Sequence, residues 1–263
     1  MVYRPPWWLP EGHSQTIMAA RWANKPSVQY HRVRWNTPDG DFIDLDFTEP
    51  PEHAAKHHTL WVLFHGLEGC SRSHYSLAVM NQARMAGALG VVVHFRGCSG
   101  ENNWMPRAYH SGDSPEMDWI LRRLREQLPA VEHMHVTGVS LGGNVLLKWL
   151  GEQEKQAQEV VSSAVSVSAP VDLLAGAVSL AKGFNLVYTR MFLSTLVPKS
   201  IDKVKRFPEL GKAEDIANCK DFFDFDNRVT APWHGFRDAE HYYAVSSAKP
   251  LLKHIAVPTL MIH

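Results

Sequence analysis

The stretch VTGVSLGGN, residues 136–144, places Ser140 between Gly138 and Gly142 in a G-x-S-x-G pattern. The pattern carries weight only where a strand runs through a sharp turn into a helix. Here MHVTGV (134–139) reads as strand and LGGNVLLKWLGEQ (141–153) as helix. Such a turn forces strand and helix together, which calls for small residues at 138 and 142. A serine at the start of a helix faces unpaired backbone N–H groups and the positive end of the helix dipole. It becomes a good nucleophile only with a histidine to take its proton and a carboxylate to orient that histidine.

Outward from this turn, the chain keeps the same grammar. TLWVLFHG (59–66) and LGVVVHFRG (89–97) are near-continuous apolar runs, and SSAVSVSAP (162–170) is small and β-branched. Short runs that are apolar on both faces suit a buried parallel sheet. Between them, 74–89 and 114–128 have helical spacing, the second opening on Ser114 and Pro115. Strand and helix alternate, which predicts a doubly wound α/β fold. Upstream, VQYHRVRW (28–35) and FIDLDFT (42–48) flank NTPDGD, which predicts an antiparallel hairpin. From Val171 to about Lys253 the strand signals stop, and they return in VPTLMIH (257–263). The expected organisation is a core over 1–170, a helical cap-like insertion over 171–253, and a return to the core sheet over 254–263.

Composition narrows the function. Of the 263 residues, 45% are hydrophobic and 21% charged, with 27 Lys+Arg against 27 Asp+Glu. A formally neutral chain offers no footprint for nucleic acid. The three cysteines have no CxxC spacing, and Cys70 and Cys98 read as packing residues. No run is long and apolar enough for a membrane span, and the first residues lack a secretory signal. A reducing cytoplasm is therefore the expected compartment. The 15 histidines show no metal-ligand spacing, and HAAKHH (53–58) reads as a solvated loop. No metal site is expected.

Several motifs occur in order along nearly the whole chain. They are HSQT, PDGDFIDLDF, FHGLEG, HFRGCSGE, YHSGD, GVSLGGN, VSAPVDL, HGFRDAEHYY and PTLMIH. Together they resemble the YheT-like esterases of the α/β-hydrolase superfamily. The resemblance implies a mostly parallel sheet with an N-terminal hairpin and a helical cap. It also implies a Ser–Asp–His triad acting on short- to medium-chain acyl esters or acylglycerols, without cofactor. Ser140 falls on the nucleophile. The backbone N–H groups of Leu67, in the loop after the first buried strand, and of Leu141 fall on the oxyanion donors.

The family's acid follows the strand that matches PTLMIH, and its histidine lies further on. Both are therefore expected beyond His263, with the last strand and helix of the fold, and the 263-residue chain alone is expected to be nearly inactive. Asp172, after the strand that follows the nucleophile helix, is the alternative acid. Asp113, Asp118, Asp224 and Asp226 read as surface or capping carboxylates. His65, His234 and His241 read as polar structural residues, and Arg96 and Glu68 as a structural pair. A non-catalytic binding protein and an alcohol acyltransferase on the same fold are the competing readings.

Overall fold

The computed structural model describes residues 4–22 and 24–263. In chain order the helices and strands are α1 (Gly12–Trp22), β1 (His31–Asn36), β2 (Phe42–Phe47), β3 (Thr59–Phe64), α2 (His74–Met85), β4 (Leu89–Val93), α3 (Ser114–Gln127), β5 (His133–Val139), α4 (Leu141–Gln153) and β6 (Ser163–Val167). There follow α5 (Leu173–Leu180), α6 (Leu186–Arg206), α7 (Ala213–Ala217), α8 (Phe222–Phe225), a π-helical turn (Asp226–Thr230), α9 (Ala231–Trp233), α10 (Ala239–Ser246) and β7 (Thr259–Ile262). The helices between β6 and β7 are called the cap below.

All seven strands belong to one sheet, in the order β1-β2-β4-β3-β5-β6-β7. Only the hairpin strands β1 and β2 run antiparallel to their neighbours. The central strands earn their continuous apolar sequence: β4 is buried at every residue, and β3 at Leu60 and from Val62 to Phe64. β1, at one edge, is mostly exposed, and β7 forms the other edge. The segment 53–58 is not a loop throughout. Pro51–Lys56 forms a 3₁₀ turn that buries Ala54 against the main core, because Pro51 starts the turn and one apolar side chain is enough to dock it.

Register decides where chemistry can gather. Phe64 pairs with Val93 on one side and with Gly138 on the other, and Val139 pairs with Val167. Four parallel strands therefore end at one level, so the loops 65–69 and 168–172 flank Ser140 and the loop 94–100 lies one strand further along the same edge. Ligands of open α/β sheets bind at this carboxyl edge. α4 then runs back beneath it, buried from Leu141 to Gly151. Trp149 is fully buried, and its indole N–H donates to Asp118 Oδ1 at 2.9 Å, so the ring occupies the core with no unmet polar atom.

A charged cluster ties the hairpin turn to the rest. Asp41 is fully buried and accepts from Arg96 Nη1 (3.0 Å), Asn103 Nδ2 (2.6 Å) and the backbone N–H groups of Phe42 and Trp104. Arg96 also bonds to Asp39 and Glu116. Lys203 of α6 donates to Asn103 Oδ1 and to the carbonyls of Met105 and Arg107, and burial pushes its pKa down to about 8. A buried arginine among carboxylates is tolerable only when each group is hydrogen-bonded in this way.

Candidate active site

Ser140 sits between β5 and α4 with φ 51° and ψ −116°, a backbone conformation that side-chain-bearing residues rarely adopt. The turn is held on both sides. Ser140 N–H donates to Val167 O at 2.8 Å, and Asn144 N–H donates to Ser140 O at 3.0 Å. The flanking glycines are there for closeness. A Cβ on Gly138 would lie 2.5 Å from Gly142 O, and one on Gly142 would lie 2.5 Å from Phe64 O.

Holding a serine at positive φ costs about 1–3 kcal/mol. Glycine at position 140 relieves that strain but enlarges the unfolded ensemble. Ser140→Gly is therefore expected to be more stable than Ser140→Ala by about 1 kcal/mol, read from urea midpoints. Equal midpoints would mean that the turn stores no strain.

The loop 65–69 lies against the serine, since a Cβ on Gly66 would sit 3.2 Å from Ser140 Cβ. Gly66 N–H is taken by Tyr75 OH and Glu68 N–H by Tyr109 OH, whereas Leu67 N–H has no partner among the described residues. Leu141 opens α4, where N–H groups have no intrahelical acceptor. Leu67, Leu141 and Ser140 line one cavity of about 120 Å³. The structure thus brings the three expected site residues together.

On the cap side that cavity has an apolar wall of Leu173, Ala177 and Leu180 of α5 and Phe192 of α6, with Asp226, Tyr242 and Tyr243 completing it. A second cavity of about 130 Å³ has a more polar wall that includes Arg96, Lys199, Lys203 and His234. The two share Leu67, Ser111, Leu141, Phe222, Asp226 and Tyr242, so they are adjoining chambers.

Of the carboxylates read as surface or capping, Asp113 does stand at the N-cap position of α3, whereas Asp226 is buried with its carboxylate on side-chain donors. Asp113 is buried and bonded to Arg107 at 2.5 Å. Asp226 is buried on the π-helical turn at the seam of the two chambers, with Thr230 Oγ1 donating to one oxygen (2.6 Å) and Tyr243 OH to the other (2.7 Å). No cation pairs with it, so burial pushes its pKa up to about 6, against those two hydrogen bonds. π-turns of this kind gather at functional sites. The sequence carried a faint signal in the Asp226/Thr230 pair, i and i+4 within an aromatic run.

The sign of the linkage follows. A carboxyl whose folded pKa lies above its unfolded value adds stability below the unfolded pKa, and loses it as pH rises through the folded pKa. Asp226 is expected to cost the wild type about 3 kcal/mol between roughly pH 4 and pH 6, and Asp226→Asn removes that slope. Urea titrations of both proteins at the two ends of the window measure it; parallel curves would refute the assignment.

No histidine among the described residues hydrogen-bonds Ser140. His65 is fully buried, with Nδ1 on Gly66 O (2.7 Å) and Nε2 accepting Phe95 N–H (3.1 Å). Burial pushes its pKa down to about 3, so it ties two strand ends as a neutral ring. His234 has its two ring nitrogens on the carbonyls of Thr230 and Ala108. His241 Nδ1 accepts Arg237 N–H. Asp172 caps α5 by accepting Ala175 N–H at 3.1 Å and pairs with Lys249 at 3.0 Å. These contacts hold it below the usual carboxylate range, and none is to a histidine.

Glu68 and Arg96 do not pair. Arg96 turns to Asp39, Asp41 and Glu116, while Glu68 takes Lys199 of α6 at 2.7 Å and accepts Tyr109 OH at 2.9 Å. The acidic hairpin turn draws the guanidinium away, and the cap supplies the partner that a linear reading of the core could not see. Burial pushes the Cys98 thiol up to about 12, as befits a packing residue.

The elbow, the sheet order and the loop against the serine meet a family profile described as alpha/beta hydrolase fold over residues 60–256. The chain belongs to the α/β-hydrolase family. It is 39% identical over 256 residues to "Putative esterase YheT" of Escherichia coli, covering 95% of this chain and 73% of that protein. It is 27% identical to human "Phospholipase ABHD3", covering 100% of this chain and 64% of that one. The "Monoacylglycerol lipase" of Saccharomyces cerevisiae is also 27% identical, covering 88% and 51%. Among solved structures, Est1E from Butyrivibrio proteoclasticus with ferulic acid bound superposes with a TM-score of 0.53 over 88% of this chain and 78% of that one, at 13% identity. That likeness is one of fold. Relatives of the α/β-hydrolase chain thus carry the names esterase, phospholipase and lipase, which are consistent with a carboxylic-ester hydrolase by family.

Proposed function

We propose that the chain carries the nucleophile and oxyanion donors of a serine hydrolase acting on short- to medium-chain acyl esters or acylglycerols. The observation that carries this is Ser140 at a strained strand-to-helix turn, with the free N–H of Leu67 and the helix-opening Leu141 on the same cavity. In the proposed reaction Ser140 Oγ attacks the ester carbonyl as a base takes its proton. The two N–H groups receive the negative oxygen, the alcohol leaves, and water cleaves the acyl-enzyme. The apolar chamber beneath α5 takes the acyl chain, and the more polar chamber takes the alcohol. The acid and base are assigned to sequence following His263, because the described histidines have their ring nitrogens engaged elsewhere or lack a bond to Ser140.

The deciding experiment is active-site titration of the full-length protein with a fluorophosphonate, with the adduct mapped by mass spectrometry. A single adduct on Ser140, together with turnover of p-nitrophenyl butyrate, is expected. No adduct, with an intact fold, would sink the reading and favour a non-catalytic binding protein. The same preparation with an added alcohol acceptor separates hydrolysis from acyl transfer by product. The 263-residue chain alone is expected to turn over at least about 10³-fold more slowly than the full-length protein, since an oxyanion hole without its base retains only a small part of the effect.

A further inference from the structure

The outer face of the cap carries apolar side chains that the fold does not cover. Leu174 and Val178, four residues apart on α5, Phe184 in the 3₁₀ turn before α6, and Val187 and Met191 in the first half of α6 are each 45–54% exposed. α5 packs against α6, and α1 joins them: the His13 ring meets Phe184 at 4.8 Å, tilted by 44°, and His13 bonds to Tyr188 OH at 3.2 Å. On the same N-terminal segment Trp7 is 90% and Trp22 70% exposed. Exposed apolar side chains gathered on neighbouring elements in this way mark an interaction surface.

Two features say which partner it fits. The first is charge. From Leu173 to Ile201 the sequence contains Lys182, Arg190 and Lys199 and no acidic residue, and residues 4–22 add Arg4 and Arg21 against Glu11 alone. Lys199 is held by Glu68, while Lys182 and Arg190 are exposed. The second is continuity. α5 shows Leu174 and Val178 to solvent and lines the Ser140 chamber with Leu173, Ala177 and Leu180. One short helix separates the outer apolar face from the chamber. Exposed apolar side chains, tryptophans and basic charge on these neighbouring elements are the makings of an interfacial membrane contact. No helix among the described residues is long and apolar enough to cross a membrane, so the contact is peripheral.

We infer that the face formed by α1, α5 and the first half of α6 docks on an anionic lipid surface, and so presents the chamber to esters dissolved in that surface. The inference rests on the ester-hydrolase reading for its purpose, but the docking itself needs no catalysis.

The test is co-sedimentation of full-length Ser140→Ala protein with vesicles of phosphatidylcholine alone, or with about a third phosphatidylglycerol. Binding to the anionic vesicles is expected, weakening as salt rises. Val178→Asp with Met191→Asp is expected to weaken it about tenfold or more. Lys182→Glu or Arg190→Glu is expected to weaken it about fivefold each. These positions are exposed, so turnover of p-nitrophenyl acetate by the same variants on an active background should match the parent. No binding to either vesicle, or binding untouched by the substitutions, overturns the inference. So does a loss of thermal stability in the aspartate variant without vesicle binding, which means that another segment of the chain covers the face. A change from dimer to monomer without vesicle binding assigns the face to a second copy and overturns it equally. Vesicle binding with no Ser140 adduct in the titration above would leave the docking intact and remove only the hydrolase.

Discussion

Ser140→Ala is expected to lower ester turnover by the full-length protein by about 10⁴- to 10⁶-fold, with little change in stability. The serine lies where β5 turns into α4, its neighbours Gly66 and Leu141 crowd it, and its side chain makes no hydrogen bond among the described residues. Removing Oγ therefore removes a nucleophile and no structural contact. The residual rate is that of a pocket with oxyanion donors and no attacking group. Steady-state kinetics on p-nitrophenyl butyrate with a far-ultraviolet circular dichroism check measures both halves of the claim. A variant retaining a tenth of the parent rate would require another nucleophile.

Gly142→Ala is expected to be the most damaging single-methyl change in the sheet edge. The added Cβ would stand 2.5 Å from Phe64 O and 2.6 Å from His65 O. Both are main-chain atoms at the end of a central strand and cannot swing aside as a side chain tip would. Relief requires α4 to back away from β3, opening the buried interface of Val145, Leu146 and Trp149. Overpacking of this kind costs upwards of about 3 kcal/mol, or a melting temperature lower by about 6–12 °C in a domain of this size. Gly12→Ala, whose Cβ meets nothing within 4 Å, serves as the control and should stay within about 0.5 kcal/mol of the parent. A Gly142 variant as stable as the control would mean that strand and helix are not pressed together as described.

What the sequence made legible is what short-range patterning controls. Runs such as TLWVLF and LGVVV must lie between two covered faces, and the hairpin turn needs Gly40 at φ 81°. The G-x-S-x-G turn gave Ser140, and the HG loop gave Leu67. The cap was legible only as helical. Apart from α6, which runs unbroken through Pro198, its pieces are short and separated by a π-helical turn and several 3₁₀ turns, so no single periodic face marks the inward residues. Asp226 was read as a surface or capping carboxylate because burial in the cap depends on helices packed from distant sequence: its second donor, Tyr243, lies a helix away. Glu68 was matched to Arg96 for a similar reason. The guanidinium finds three carboxylates contributed by the hairpin and α3, and charge complementarity within the core loops could not rank them above Glu68.

The cluster around Asp41 also sets a timetable. This carboxylate belongs to the first hairpin made on the ribosome, yet its partners are Arg96 and Asn103, and Asn103 is in turn held by Lys203 of α6. At roughly 5–20 residues per second, Lys203 emerges about 8–30 s after Asp41. Until Arg96 and Asn103 arrive, the hairpin can pair its strands but cannot bury its turn, since an unpaired interior charge costs several kcal/mol. The hairpin is thus translated before the residues that lock its turn: the acidic turn stays open until Arg96 and Asn103 emerge, and the lock is complete only with Lys203.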